Sequence, residues 1–334
     1  MHVLKEAVGI DISKDSLAVC FGRIDAEQRI SIIAEGTFAN TAEGIASLQQ
    51  WAHTHRQEGV DLWYLMEATG VYYEEVAYGL SNAGARFCVM LPTAVKQFSR
   101  STSVKTKTDR VDARLLCRLA LERRLDTWEP ATELMQELKA LVRERQSLIT
   151  QQSQVRNRLH ALSASYKPSV SHRGRLQQQL RFFASQIREV EQQITEVLHN
   201  DDDFRGRIKQ LQTIKGVGLM TIATILAETN GFALVRSVKQ VISYAGLDIV
   251  HQESGTKRGP SYISKRGNCR LRTCLYMPAL ASIRSDEQMR RFYERLCQGN
   301  GGQKKAAIVA VARKLLRVFY AIWLSGEDYN PARI

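Results

Sequence analysis

Residues 6–36, EAVGIDISKDSLAVCFGRIDAEQRISIIAEG, set the fold class. Three β-branched apolar runs (EAVGIDIS, SLAVCFGRI and QRISIIAEG) are broken by polar turn residues, the pattern of adjacent strands. Outward from them the character alternates. TAEGIASLQQWAHTH (41–55) reads as a helix that Thr41 caps, VDLWYLME (60–67) as a strand, and 73–83 as a helix. RFCVMLP (86–92) reads as a further strand, and TDRVDARLLCRLALERRL (108–125) as a helix capped by Thr108. Three adjacent strands followed by alternating helices and strands predict a mixed α/β sheet covered by helices.

The middle differs in kind. Leu134, Leu141, Leu148, Val155 and Leu162 recur every seven residues, with Leu138 and Leu159 at the complementary position. Beyond the loop SASYKPSVSH, the series Leu176, Leu180, Phe183, Ile187, Val190, Ile194, Val197 keeps a 4-3 spacing. Such heptads predict a coiled-coil arm, either an antiparallel hairpin or a dimer seam. A third unit opens near residue 203, where LQTIKGVGLMTIATILAET (211–229) contains an I-x-G-V-G turn. The turn has two readings: a helix-hairpin-helix whose backbone N–H groups and Lys215 hold a phosphate, or a glycine turn joining two core helices.

A chain of 334 residues, 44% hydrophobic and 24% charged, has room for two or three domains with real cores. No apolar run approaches the ~18 residues of a membrane span, and MHVLKEAVGID has no signal-peptide core. The six cysteines show no paired or His/Cys spacing that would indicate disulfides or zinc. A soluble, cytoplasmic protein is expected. The net charge of +13 is segregated: residues 1–100 hold 8 Lys/Arg against 12 Asp/Glu, residues 101–202 hold 17 against 13, and residues 203–334 hold 22 against 9. A basic excess of that size in the last third points to a polyanion partner, with a solvated basic surface as the plain alternative.

Four acids carry the chemistry. Asp11 lies in the apolar frame VGIDI, Glu67 ends the 60–67 strand before Gly70, and Asp109 and Asp112 are spaced to share one helix face. Two hard divalent cations ~4 Å apart need several oxygen ligands of this kind. Lys105, Lys107, Arg110 and Arg114 surround the Asp-x-x-Asp pair, within reach of phosphate oxygens.

The order of these acids resembles the RuvC-like, RNase H-type nucleases. The wording GIDIS…MEATG…TKTDRVDA is similar to the DEDD insertion-sequence transposases, described as bridge-RNA-guided recombinases. The Y-A-G-L, E-S-G, I-S-K-R-G-N and L-Y-M-P-A elements within 243–281 match the same family. The resemblance implies a RuvC-like domain (1–128), a coiled-coil arm (129–200) and a mainly helical C-terminal transposase domain (201–334). It implies Mg²⁺ or Mn²⁺ on Asp11, Glu67, Asp109 and Asp112, and Ser254 as nucleophile, with Ser261 and Ser264 as neighbouring rivals and His251 as the one nearby imidazole. Lys257, Arg258, Lys265, Arg266, Arg270 and Arg272, with no acid among them in 256–272, would face the scissile phosphate. Donor and target DNA, a noncoding bridge RNA and a dimer or tetramer are the implied partners, near the nucleoid. Two other readings stand beside this one: a junction-resolving endonuclease that uses metal-activated water, and a nucleic-acid-binding scaffold without catalysis.

Overall fold

Every second residue of the first strand faces one helix, and that register organises the N-terminal part of the chain. The computed structural model describes residues 2–68, 70–102, 106, 108–251, 253–254, 257–259, 261–299 and 303–333, with backbone alone at 203, 253–254, 257–258 and 333. The chain forms two units, Met1–Pro130 and Ala131–Ile334.

In the first unit, β1 (Val3–Ile12), β2 (Ser16–Asp25) and β3 (Ile30–Ala39) form an antiparallel meander. Helix α1 (Ala42–His55), capped by the Thr41 hydroxyl, returns the chain so that β4 (Leu62–Glu67) lies parallel to β1. Helix α2 (Tyr73–Asn82) leads to β5 (Phe87–Met90), parallel to β4, giving the order β3-β2-β1-β4-β5. This is the expected mixed sheet. Helix α3 (Pro92–Ser101), absent from the sequence reading, begins at the proline assigned there to the strand. Pro92 occupies the first helical turn, where a missing N–H goes unused. Helix α4 (Asp109–Glu122) is shorter than predicted, and the Thr108 Oγ1 accepts from Val111 N at 3.3 Å.

The sheet is buried on both faces. Val8, Ile10, Leu17, Phe21 and Met66 pack with α1 and α2, while Ala7, Cys20 and Leu65 pack with α3 and α4. A side chain at Gly9 would meet Ala113 O and Cys117 N of α4 at 2.2 Å, so only glycine lets α4 lie directly on β1. Further along, the Lys5 ammonium donates to the carbonyls of Ala120 and Arg123 at the end of the same helix.

The second unit is helical. Helices α5 (Glu133–Ala164) and α6 (Val170–His199) pack as an antiparallel hairpin, tied near its base by Arg145–Glu191 at 2.6 Å. Of the two sequence expectations for the heptads, the chain takes the hairpin. Met135, Leu138, Val142, Val190, Ile194 and Val197 share the core of the helices that follow, so the base of the hairpin is part of this unit. Those helices are α7 (Asp202–Gln212), α8 (Leu219–Thr229), α9 (Val238–Tyr244), α10 (Cys269–Ser285), α11 (Glu287–Gly299) and α12 (Lys304–Ser325). Between α9 and α10 lie two small ladders, β6 (Ile249–Val250) with β9 (Tyr262–Ile263) and β7 (Glu253–Ser254) with β8 (Lys257–Arg258).

Candidate functional site

The four acids come from three elements, and the charges of the other three act on Asp11. Asp11 stands two residues beyond Gly9 on the β1 face that receives α4, and Asp109 and Asp112 occupy the first turn of α4. Glu67 ends β4, the parallel neighbour of β1. Burial pushes the Asp11 carboxyl up, and the charges of Asp112, Asp109 and Glu67 add to the rise, to about 6. A half-buried acid under the charge of three others is where cations would be drawn. Among the described residues, no three His, Cys, Asp or Glu side chains close on a single point as the ligands of one ion would. Four like charges held near one another repel, and a divalent ion would have to draw them inward.

Sequence reasoning missed Glu35 of β3. Its carboxylate accepts from Arg110 Nε at 2.7 Å and from Arg114 Nη2 at 2.8 Å, with a further bond from Arg114 Nε. These bonds, Arg114 foremost, hold the Glu35 carboxyl down at about 2. Arg110 and Arg114, expected to approach phosphate, are thus bound to the sheet and fasten the helix that carries Asp109 and Asp112. Nothing local in the sequence marks Glu35, because its partners lie more than 70 residues away. Lys105 and Lys107 lie outside the described residues.

In the second unit the predicted cations divide. Lys265 and Arg266 are exposed beside α10. Arg272 Nη1 donates to Ala245 O at 2.8 Å and to Gly267 O at 3.2 Å, which spends it on bracing two loops. Arg270 stands 3.7 Å from the buried Glu228 carboxylate. Glu228 was also missed, although a single acid in the apolar helix TIATILAET is a signal of the same kind as Asp11 in VGIDI. It receives Arg143 Nε at 2.9 Å, Arg143 Nη2 at 3.2 Å and Asn268 Nδ2 at 2.7 Å.

Ser254 lies in β7 opposite Lys257 of β8, with Arg258 opposite Glu253, and the structure describes the backbone alone for all four. Of the rival serines, Ser264 donates to Asp248 Oδ1 at 2.6 Å and holds a turn, while Ser261 Oγ lies 3.0 Å from His251 Nδ1. Lys215 is exposed on the 213–218 turn. The glycine beside it is needed for packing, since a Cβ at Gly216 would meet Ser282 N of α10 at 2.5 Å. That contact favours the core-turn reading of I-x-G-V-G.

A strand-end Asp, a second strand-end Glu and an Asp-x-x-Asp helix turn thus stand on one mixed sheet. A family model described as "Transposase" matches residues 8–168, and one described as "Transposase IS116/IS110/IS902 family" matches residues 208–294. The chain belongs to this insertion-sequence transposase family, whose members are DNA transposases. A pilin gene-inverting protein of Moraxella bovis is 29% identical over 98% of both chains. A transposase for insertion sequence element IS1111A of Coxiella burnetii is 24% identical over 97% of this chain and 91% of its own. Among solved structures, Thermus thermophilus RuvC aligns with 37% of this chain and 99% of its own, at 13% identity and a TM-score of 0.29. Among the described residues, no helix is long and apolar enough to cross a membrane.

Proposed function

We propose that this transposase cuts and rejoins DNA through a serine nucleophile, Ser254, assisted by divalent cations on Asp11, Glu67, Asp109 and Asp112. What supports the metal part is placement: Asp11 and Glu67 follow the paired Ile10 and Met66 on adjacent parallel strands, and Asp109 and Asp112 open the helix packed on β1, so that their charges act on Asp11. The donor set is all carboxylate, which suits hard cations such as Mg²⁺ or Mn²⁺. Such cations, when bound, neutralise the phosphate and stabilise charge building on its oxygens. The remaining steps belong to the chain. Ser254 Oγ loses its proton and attacks the phosphorus, and the 3′-oxygen leaves and takes up a proton. The DNA then carries a free 3′-hydroxyl while its phosphate is esterified to serine. The ester keeps the bond energy, so an incoming 3′-hydroxyl reverses the step and restores the serine. The exposed Lys265 and Arg266 suit the phosphate side of this reaction. A noncoding guide RNA and a dimeric or tetrameric assembly belong to the same reading, supported by the family resemblance.

The deciding test is a covalent adduct. Wild type, Ser254→Ala and Asp11→Asn are incubated with Mg²⁺, junction DNA, target DNA and RNA from the flanking noncoding region, then denatured, trimmed and analysed by mass spectrometry. A nucleotide on a Ser254 peptide, lost in both variants, is the expected result. The same mass on a Ser261 peptide would move the nucleophile to the serine beside His251. Cleavage that survives Ser254→Ala without an adduct would overturn the serine mechanism in favour of water.

The raised Asp11 carboxyl also sets a pH dependence. Its folded value, about 6, lies above the ordinary 3.8, so ionising it opposes folding, and stability is lost as pH rises between those values. At pH 8 without metal, Asp11→Asn is expected to be more stable than wild type by ~1–2 kcal/mol, after discounting for solvent at a half-exposed group. The gap should close below about pH 4, and Mg²⁺ should raise the melting temperature of wild type more than that of the variant. Thermal melts at three pH values with and without Mg²⁺ measure all of this. A variant no more stable than wild type at pH 8 would refute the clustering.

A further inference from the structure

The hairpin of α5 and α6 has an unusual charge distribution. From residue 146 to residue 188 there are seven Lys/Arg and no Asp or Glu. Three lie on α5 and the connecting loop (Arg156, Arg158, Lys167) and four on α6 (Arg173, Arg175, Arg181, Arg188). All are exposed except the half-buried Arg173. The carboxylates of these helices sit at the base, as Glu133, Glu137, Glu144, Glu189, Glu191 and Glu196. Among the described residues, the outermost ion pair on the hairpin is Arg145–Glu191.

This segregation works against the helices. Exposed helices ordinarily interleave Glu with Lys or Arg, and each i,i+4 pair stabilises by ~0.3–0.5 kcal/mol. Here the outer part forgoes such pairs and accepts mutual repulsion. The apolar seam does not explain the pattern, because it is filled from within the chain: Val155 and Leu176 are 4% and 3% exposed. A second copy brought against this surface would present the same seven cations. A polyanion is what fits it.

We propose that the outer half of the hairpin binds the sugar–phosphate backbone of duplex DNA without regard to sequence. Each helix carries the acid-free stretch for 19 residues, ~28 Å at 1.5 Å per residue and so about eight base-pair steps. The DNA on which a transposase acts supplies such a backbone. The inference stands apart from the serine and metal readings, because it concerns binding alone.

The test is fluorescence anisotropy of the full-length protein on a scrambled 40-bp duplex, without divalent ions, over a range of KCl. For R156Q/R158Q/R175Q/R181Q, the slope of log K against log salt is expected to fall in magnitude by about 3–4, at ~0.9 per phosphate contact. At 150 mM salt, affinity should drop at least about tenfold. The corresponding four-lysine variant should keep the wild-type slope, since the contact is made by charge. Circular dichroism checks the fold, and if the four-site Gln variant loses helix, R156Q/R158Q and R175Q/R181Q are measured separately, each losing about 2 in slope. A slope within about one of wild type in folded Gln variants would overturn the proposal. So would a loss confined to an RNA hairpin of equal length with duplex DNA binding intact.

Discussion

Gly9→Ala is expected to destabilise the N-terminal unit by ~3 kcal/mol or more, at or beyond the upper end for overpacked cores. The added methyl would lie 2.2 Å from Ala113 O and Cys117 N and 2.8 Å from Cys117 Cα, all backbone of α4. No rotamer change relieves such a contact, so the helix must move off the strand. Gly9 is not among the residues with positive φ, so alanine meets no dihedral penalty and the effect is one of space. Moving α4 opens a core of Ala7, Cys20, Leu65, Leu116 and Cys117. It also draws Asp109 and Asp112 away from Asp11, so cleavage should fall together with stability. Gly174→Ala is the control: its Cβ would meet nothing within 4 Å on α6, and it should stabilise that helix by up to ~1 kcal/mol. Thermal and urea unfolding of both variants measure the contrast. A Gly9→Ala protein that melts with wild type would refute the contact between α4 and β1.

This contact also shows how far the sequence is legible. An aspartate in the frame Val8-Gly9-Ile10-Asp11-Ile12 reads at once as a buried acid, because a solvated one would sit in polar surroundings. Continuous β-branched apolar runs locate the sheet strands, which are buried on both faces, and the 4-3 spacing locates the two long helices, which bury one face. Glu35 is invisible by the same logic. Its function is set by Arg110 and Arg114, brought to β3 by the whole path of the chain. The heptads could not distinguish hairpin from dimer seam, since an apolar stripe records that it is covered and not by which chain. The cationic end of the hairpin is written in the sequence, yet a count over residues 101–202 averages it against the acids at the base. Charge has to be read along each element before its segregation shows.

Glu228→Ala should have an effect nearly as large in the second unit. The Glu228 side chain is 1% exposed. Burial by itself would raise its carboxyl, but hydrogen bonds from Arg143 and Asn268 outweigh that and hold it below the ordinary range. Removing it leaves the half-exposed Arg143 guanidinium and the Asn268 amide without their carboxylate, at a cost of ~2–3 kcal/mol, below that of a pair buried on both sides. Asn268 is also the N-cap of α10, with its Oδ1 accepting from Arg270 N at 2.9 Å and Leu271 N at 3.2 Å. Its backbone N–H donates to Tyr244 O at 2.7 Å, and the Tyr244 hydroxyl donates to the Glu228 carbonyl at 3.0 Å. Glu228 therefore joins the long hairpin, through Arg143, to the loop that presents Lys265 and Arg266. The linkage has a definite sign. A carboxyl held lower in the folded state contributes stability above its unfolded value, ordinarily 4.5, and loses it as pH falls through the folded value. The deficit of Glu228→Ala should therefore be full at pH 7 and shrink in acid. Glu228→Leu with Arg143→Met should recover much of the loss, because two matched apolar groups replace the pair at little cost. Urea unfolding of the single and double variants at pH 7 and pH 4 separates these outcomes. A double variant no better than the single would mean that the carboxylate holds the Asn268 loop by itself, with Arg143 a bystander.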